Sequence, residues 1–359
     1  MHVGVQMVFQ SYGYPDDVTD GQVYREEIEL AQLADAVGFD SIWPVEHHFE
    51  DYSFCPDNVV FLANMAARTS RIKLGTGAVI MPWNDPLRVA EKIALLDELS
   101  EGRVLLGMGR GLARREYEGF GIAMDESRDR FDESAAMVMA ALRTGFIEGD
   151  GRYYPQHRVP IRPRPTRSFE DRTYCIAMSD DSAMSAAELG GRMVCFSQSP
   201  WDVQVLRIDA YRDRFRTTHG TEPEPPVTCD FTYCDLDAAK AEDVVREHMV
   251  GYLTSVLGHY ELAGDHFRGM SGYESYGRAV DAVRAAGVEK MADMYLDVQA
   301  WGTPDQILEK LAYRREIIGE FDLTACFRYS GLTLDQSRAS MTCFGEKVLP
   351  ALAGRPAAA

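Results

Sequence analysis

Residues 104–112 read VLLGMGRGL, a short apolar run that ends in glycines around a single arginine. Seven other apolar runs lie along the chain, and amphipathic segments separate most of them. The eight runs are Val3–Phe9, Ser41–Val45, Ile72–Ile80, Val104–Met108, Thr173–Ala177, Met193–Phe196, Val227–Tyr233 and Leu323–Phe327. Eight alternating strands and helices predict an α/β fold, the (β/α)8 or TIM barrel. Active sites of this fold lie at the carboxyl ends of the strands, so functional residues are expected there.

The segments between the runs support this prediction. Gly38, Gly102, Gly191 and Gly319 stand just before an apolar run, where a left-handed residue can end a helix. In two segments apolar residues recur at spacings of three and four, which predicts outer helices of the barrel. The first stripe comprises Tyr24, Ile28, Ala31, Ala34 and Val37, and the second comprises Val89, Ile93, Leu96 and Leu99.

The composition limits the possible partners. The 359 residues carry a net charge of −19, which disfavours binding to nucleic acid or to an anionic membrane. Hydrophobic residues make up 46% of the chain, enough for a sizeable core. No run approaches the ~20 apolar residues of a membrane span. The seven cysteines include no CxxC pair, which is typical of buried reduced thiols. We therefore expect a cytoplasmic protein.

Two segments interrupt the alternation of strands and helices. Residues 146–171 are rich in proline, which predicts an insertion after the fourth strand. Residues 251–301, after the seventh strand, are rich in glycine and tyrosine, which is typical of a mobile lid over a barrel mouth. We predict a single domain over residues 1–352, with this lid at about 251–301 and a flexible tail at 353–359.

The second run leads into a pair of histidines, His47 and His48, after Glu46. Neighbouring side chains on an extended segment point to opposite sides, so at most one ring faces the barrel mouth. That ring suits a general acid, base or hydrogen-bond donor, because imidazole titrates near neutral pH. A purely structural pair is an equally open interpretation. We expect no metal site, because the first strand offers no ligand and the remaining candidates, His259, Asp265 and His266, lie in the lid segment.

Basic and polar residues follow several other runs. Arg110 lies between two glycines after the fourth run, where its planar guanidinium suits a phosphate group. Arg128 is a second candidate, although it could equally be a solvated charge at a helix start. Ser179 and Ser182 follow the fifth run, where they either cap a helix or help to bind a phosphate. The sixth run ends at another small polar residue, Ser197.

Small residues mark the end of the third run, Gly75-Thr76-Gly77-Ala78. They could let a flat ligand approach the backbone, or they could simply allow a bulge. The glycines around Arg110 lack the spacing and the strand–turn–helix setting of a dinucleotide-binding fingerprint.

Taken in order, these segments resemble the bacterial luciferase-like family of flavin-dependent monooxygenases. The resemblance covers most of the chain and is weakest in the two insertions. The matching segments are Glu46 to Phe49, Gly75 to Val79, Asp97 to Arg103 with Gly109 to Leu112, Phe120-Gly121 with Ser127-Arg128, Ala177 to Ser182, and Gly302 to Pro304.

The resemblance implies roles for individual residues. His47 matches the catalytic histidine of the family, and Gly77–Ala78 matches a non-proline cis peptide against the flavin ring. The implied cofactor contacts are Gly77, Ala78, Arg110, Leu112, Arg128, Met178, Ser179, Ser182 and Ser197. Two positions differ from luciferase itself. Gly109 stands in place of a reactive cysteine, which disfavours light emission, and Met178 stands in place of a glutamate, which removes a polar contact.

The resemblance implies a monooxygenase that uses reduced FMN and molecular oxygen to oxygenate or oxidatively cleave a small organic substrate. A separate NAD(P)H:flavin reductase would supply the electrons, and a homodimer is expected. Three alternatives stay open: a deazaflavin-dependent hydride-transfer enzyme, a non-catalytic flavin-binding protein, and a divalent-metal hydrolase. The sequence does not specify the substrate. Tyr260, Tyr273, Tyr276 and Trp83 suggest either an aromatic-walled pocket or simple packing.

Overall fold

The computed structural model describes residues 1–270 and 272–353. These residues contain eleven β-strands and twelve α-helices. The strands are β1 (Val3–Met7), β2 (Ser41–Pro44), β3 (Lys73–Gly75), β4 (Val79–Ile80), β5 (Val104–Gly109), β6 (Phe146–Gly149), β7 (Gln156–Pro160), β8 (Thr173–Ile176), β9 (Arg192–Phe196), β10 (Val227–Phe231) and β11 (Asp322–Cys326). The helices are α1 (Asp20–Val37), α2 (Asn58–Arg68), α3 (Pro86–Leu99), α4 (Arg114–Phe120), α5 (Ser127–Thr144), α6 (Asp180–Leu189), α7 (Trp201–His219), α8 (Ala238–His259), α9 (Glu274–Val298), α10 (Pro304–Ile318), α11 (Leu334–Lys347) and α12 (Leu349–Ala353).

The parallel strands close into a barrel. Their hydrogen-bonded order is β3-β2-β1-β11-β10-β9-β8-β5-β4, and β3 also pairs with β5, which closes the ring. Every predicted apolar run forms a barrel strand, so the predicted (β/α)8 fold is confirmed. The third run forms two strands, β3 and β4, because residues 76–78 leave the strand conformation between them. The predicted insertion at 146–171 contains β6 and β7, a separate antiparallel hairpin.

Trp43 of β2 fills the barrel interior, and a glycine makes room for it. Its ring lies 5.0 Å from the ring of Tyr174, measured between centroids, in a buried cluster with Leu105 and Val194. A side chain at Gly75 would overlap the Trp43 ring, so packing requires this glycine. The interior below the strand ends is therefore a packed core, as is usual for this fold.

The outer helices follow the two predicted stripes. In α3, Val89, Ile93 and Leu96 are buried against the barrel, whereas Leu99 is exposed. Gly38 ends α1 in the left-handed conformation, with φ at +105°. The stripe of α3 is therefore one residue shorter than predicted, and Leu99 belongs to the outer surface.

The insertion after the seventh barrel strand is largely helical. Helix α8 begins at Ala238 and continues through Gly251 to His259, so the predicted boundary near 251 lies inside a helix. A side chain at Gly251 would overlap Ser330, which shows that this glycine serves close packing and not the end of an element. The insertion therefore comprises α8 and α9, and α10 leads back to β11.

Three other expectations concern the rest of the chain. All seven cysteines are free, and six of them are buried. Of the predicted tail at 353–359, residues 354–359 lie outside the described residues. Among the helices that are described, none combines the length and the apolar character needed to span a membrane.

Candidate active site

A cavity with about 1120 Å³ of unfilled space opens at the carboxyl ends of the barrel strands. Residues that follow β2, β5, β8 and β9 form its walls, together with residues of the α8–α9 insertion. This volume includes space that is open to solvent.

Eight of the ten predicted site residues line this cavity. They are His47, Gly77, Ala78, Arg110, Leu112, Met178, Ser179 and Ser182. These residues are far apart in the sequence, and the closed barrel brings them together. Arg128 and Ser197 are absent from the described lining.

The two neighbouring histidines point in different directions. His47 lines the cavity, with its Nδ1 2.9 Å from Oε1 of Glu116 and its Nε2 3.2 Å from the hydroxyl of Tyr260. His48 instead packs edge-on against Phe120, with ring centroids 4.8 Å apart. The backbone N–H of His48 donates to Glu116 at 2.8 Å. Only His47 is therefore placed to act on a molecule in the cavity.

Glu116, in the first turn of α4, orients the His47 ring. Burial favours its neutral form, but the His47 ring and the hydrogen bonds from His47 and His48 hold the pKa of Glu116 below its usual value. The carboxylate is therefore ionised and accepts a hydrogen bond from Nδ1 of His47. This leaves Nε2 of His47 as the nitrogen that faces Tyr260 and the cavity.

His259, at the end of α8, lies behind this pair. Its Nδ1 is 2.5 Å from Oε2 of Glu50, and its Nε2 is 3.9 Å from Oε1 of Glu116. The ring stacks on Tyr52 with centroids 4.2 Å apart. Burial, together with the nearby His47, lowers the pKa of His259 to about 3. A neutral His259 thus links the insertion to His47, whose ring centroid lies 5.2 Å away.

The sequence analysis missed Glu116, Glu50 and Tyr52, and it set His259 aside as a metal ligand because that residue lies in the lid segment. Glu50 and His259 are 209 positions apart, and no local pattern connects them. The possible ligand atoms of His47, Glu116 and His259 also lie within 4.8 Å of one another. The structure therefore assembles a set of metal-ligand types that the spacing of the residues did not indicate.

Arg110 and Arg128 lie side by side at another part of the site. Arg110 is 9% exposed, and its Nη1 donates to the carbonyl of Gly272 at 2.6 Å. Its guanidinium also lies 4.0 Å above the ring centre of Tyr273. Asp181 joins the two arginines, at 2.7 Å from Nε of Arg128 and 3.8 Å from Nη1 of Arg110. An anion bound here would compete with Asp181.

Two observations fit a bound phosphate in this region. Among the described residues, Nη2 of Arg128 is buried and has no hydrogen-bond partner. A buried unpaired donor of this kind is costly unless a ligand or water satisfies it. In addition, α6 begins beside Asp181, and free N–H groups at a helix start attract anions. Ser179 and Ser182 form the capping box of α6, so their hydroxyls already stabilise that helix start.

Small residues form the floor of the cavity. The Gly77–Ala78 peptide bond is cis, and Asn58 donates to the carbonyl of Ala78 at 2.9 Å. A side chain at Gly109 would lie 3.0 Å from Ile80 and 3.4 Å from Ala78. Glycine at position 109 therefore allows the close packing of these three residues.

Met178 and Ser197 have other partners. The sulfur of Met178 accepts a hydrogen bond from the backbone N–H of Phe196 at 3.0 Å. Ser197 is 1% exposed, and its hydroxyl donates to Asp230, which pairs with Arg314 at 2.5 Å. Phe196 and Gln198 line the cavity, so alternation along the chain turns Ser197 away from it. In this structure the Ser197 side chain belongs to a buried network and is absent from the described lining of the cavity, so its contact with a cofactor stays a prediction.

Comparisons with known proteins agree with this geometry. The family model described as luciferase-like monooxygenase matches residues 1–320. The alkanal monooxygenase alpha chain of Aliivibrio fischeri is 29% identical over 320 residues, which cover 88% of this chain and 90% of that protein.

Solved structures share the same fold. Monooxygenase RslO1 from Streptomyces bottropensis superposes with a TM-score of 0.79 at 27% identity, covering 98% of this chain and 100% of that one. The oxygenating constituent of 3,6-diketocamphane monooxygenase from Pseudomonas putida, solved in complex with FMN, gives a TM-score of 0.76 at 22% identity, covering 98% of both chains. The family match spans most of the sequence and includes the strands that build the cavity. The chain therefore belongs to the luciferase-like monooxygenase family of enzymes.

Proposed function

We propose that the protein binds reduced FMN and uses molecular oxygen to oxygenate or oxidatively cleave a small organic substrate. A separate NAD(P)H:flavin reductase would supply the reduced flavin. One observation carries this proposal: a single cavity combines His47, the small residues Gly77 and Ala78 and the buried Arg110. Each of the three suits a different part of a flavin nucleotide and its chemistry.

The residues of the site would have separate roles. Arg110 and Arg128 would hold the phosphate of FMN, and the small-sided floor at Ala78 and Gly109 would carry its ring. When bound, the flavin supplies the electron-transfer chemistry with oxygen, whereas the protein supplies binding and orientation. The apolar walls exclude water from the reacting groups. His47 would hold or move a proton at Nε2, because Glu116 occupies Nδ1.

The family membership and the exposed surface also favour a homodimer. Val60 of α2 and Leu95 and Leu99 of α3 are 65%, 49% and 57% exposed, although each side chain is apolar. Helices α2 and α3 are neighbours in the outer ring. A second copy of the chain would cover these side chains and remove them from water.

One observation favours a second candidate, a divalent-metal hydrolase. His47, Glu116 and His259 offer the His₂Glu ligand set that catalytic zinc sites use. The small-sided floor at Ala78 and the paired arginines have no part in such chemistry, so the flavin proposal explains more of the cavity.

Anaerobic titrations separate these candidates. We expect the protein to bind reduced FMN, and to bind reduced deazaflavin and Zn²⁺ much more weakly. Metal analysis of the purified protein should find no stoichiometric divalent ion. Preferential binding of the deazaflavin would identify the hydride-transfer alternative, and a tightly held stoichiometric metal would identify the hydrolase.

A further inference from the structure

We infer that the part of the cavity around His47 takes an uncharged aromatic substrate that carries a carbonyl or hydroxyl group. This inference rests on the proposed function, in which the flavin occupies the part near Ala78 and Arg110. Three features of the remaining wall support it: its rings, its hydroxyl groups and its charge.

Four tyrosine rings belong to this wall. Tyr52, Tyr252, Tyr260 and Tyr276 line the cavity, with Val256 and Leu262 between them. The rings are held in place from behind, since Tyr252 stacks on Phe231 at 3.7 Å and Tyr52 stacks on His259 at 4.2 Å. Fixed aromatic rings favour a flat aromatic partner, through offset or edge-on contacts.

The hydroxyls of three tyrosines form a chain that ends at His47. The Tyr252 and Tyr52 hydroxyls are 2.9 Å apart, Tyr52 donates to Tyr260 at 3.4 Å, and Tyr260 lies 3.2 Å from Nε2 of His47. Burial raises the pKa of Tyr52 to about 12 and those of Tyr252 and Tyr260 well above their usual values. These hydroxyls therefore stay neutral. Because Nδ1 of His47 donates to Glu116, the Tyr260 hydroxyl donates to Nε2 of His47; it can accept from a substrate hydroxyl, or turn from His47 to donate to a substrate carbonyl.

The charges on the wall disfavour an anionic substrate. Arg110 is the single Lys or Arg side chain among the lining residues that the structure describes, and it lies in the part of the cavity assigned to the flavin. Next to His47 the wall instead carries the ionised Glu116. A carboxylate, sulfonate or phosphate on the substrate would lie close to this like charge in a protein of net charge −19.

Three small molecules test whether the site prefers an uncharged ligand to an anion and an aromatic ligand to an aliphatic one. Reduced FMN is first titrated calorimetrically under anaerobic conditions, and the FMN-loaded protein then receives 2-acetylnaphthalene, 2-naphthoate or 2-decanone. We expect the aromatic ketone to bind at least about 10-fold more tightly than the carboxylate, since like charges are repelled, and more tightly than the aliphatic ketone. The inference is overturned if the carboxylate binds as well as the aromatic ketone, if the aliphatic ketone does, or if no probe binds.

The same set distinguishes this inference from the proposed function. Failure of reduced FMN to bind contradicts the proposed function, and the probes are then compared on the flavin-free protein. The comparison measures affinity, so its result does not depend on oxygen consumption.

The hydroxyl chain is tested with a pair of tyrosine variants. Tyr260→Phe should weaken binding of 2-acetylnaphthalene about 3- to 10-fold, the usual effect of losing one hydrogen bond. Tyr295→Phe is the matched control, because Tyr295 is a buried tyrosine of the cluster on which Tyr260 packs but lies outside the cavity lining. Equal affinities of both variants and the wild type would contradict a role of the hydroxyls in recognition.

Discussion

Arg110 is a buried arginine whose positive charge is only partly compensated by its neighbours. It is 9% exposed, and its guanidinium is shared between a backbone carbonyl, a tyrosine ring and the distant carboxylate of Asp181. None of these partners neutralises it fully at close range. A buried cation of this kind is best explained by a ligand that brings a negative charge.

The first prediction at the residue scale concerns the choice of flavin. Reduced FMN should bind more tightly than reduced riboflavin, because only FMN carries the 5′-phosphate. Arg110→Ala should weaken FMN binding by about 10- to 100-fold, as expected for a charge-assisted hydrogen bond, and should leave riboflavin binding nearly unchanged. Anaerobic titration of both flavins measures this. Equal affinities of the wild type for the two flavins would contradict the proposal that Arg110 helps to bind the 5′-phosphate.

The second residue prediction concerns His259 and pH. Burial and the nearby His47 lower its pKa to about 3 in the folded protein, whereas an exposed histidine titrates near 6.5. The unfolded chain therefore binds the extra proton first, so the contribution of His259 to stability is lost as the pH falls below about 6.5. Between pH 7 and pH 5 this should lower the free energy of unfolding by about 2 kcal/mol.

Denaturant unfolding of three proteins measures this loss. His259→Gln should lose less stability than the wild type over the same pH interval. His157→Gln is the control, because His157 is exposed on the β6–β7 hairpin, and it should behave like the wild type. An identical loss in His259→Gln and the wild type would show that folding does not lower the pKa of His259.

At the scale of elements, the α8–α9 insertion closes one side of the cavity. Tyr252 and Tyr260 reach the cavity from α8 and its C-terminal end, and Tyr276 reaches it from α9. The segment between the helices contacts the site as well, since Gly272 and Tyr273 lie against Arg110. Ligands on both sides of the cavity therefore share partners with this insertion.

The insertion is expected to move, which is the prediction at this scale. Amides of residues near 255–295 should exchange hydrogen quickly in the free protein and more slowly with reduced FMN and an aromatic ketone bound, because the ligands add contacts to Tyr260 and Arg110. Exchange in α3 serves as the internal control and should stay constant. Slow exchange throughout 255–295 in the free protein would instead describe a rigid part of the fold.

At the scale of the whole molecule, the prediction is a dimer through α2 and α3. Light scattering should give twice the chain mass of 40.2 kDa. Leu95→Glu should shift the protein toward the monomer, because it places a charge among the exposed apolar residues of these helices. Leu236→Glu is the control, since Leu236 is 71% exposed at a different place. A monomeric wild type, or equal shifts in both variants, would contradict this interface.

The sequence predicts features that depend on local periodicity, and it misses those that depend on distant contacts. Period-two alternation of side chains predicted that one histidine faces away from the other, and His47 indeed lines the cavity. The same alternation turns the Ser197 side chain away from the cavity. The sequence does not show whether Phe196 or Ser197 faces the cavity, so this orientation could not be predicted. Glu116 and His259 meet only through the closed barrel and the course of α8. The sequence suggested that Gly251 begins the insertion. Its packing role could not be predicted, because Ser330, which leaves no room for a side chain at position 251, comes from a distant part of the chain.

Rapid mixing of the FMN-loaded protein with oxygen tests the central claim, that this cavity directs the reaction of reduced flavin with oxygen through His47. The reoxidation of the flavin is followed by its absorbance, in the wild type, His47→Ala and His48→Ala. We predict kinetics that differ from those of free reduced FMN and that change by about 10²- to 10⁴-fold in His47→Ala, the usual contribution of a positioned acid or base. His48→Ala should lower the melting temperature with a smaller kinetic effect. Reoxidation at the rate of free flavin, or a loss confined to His48→Ala, would contradict the claim.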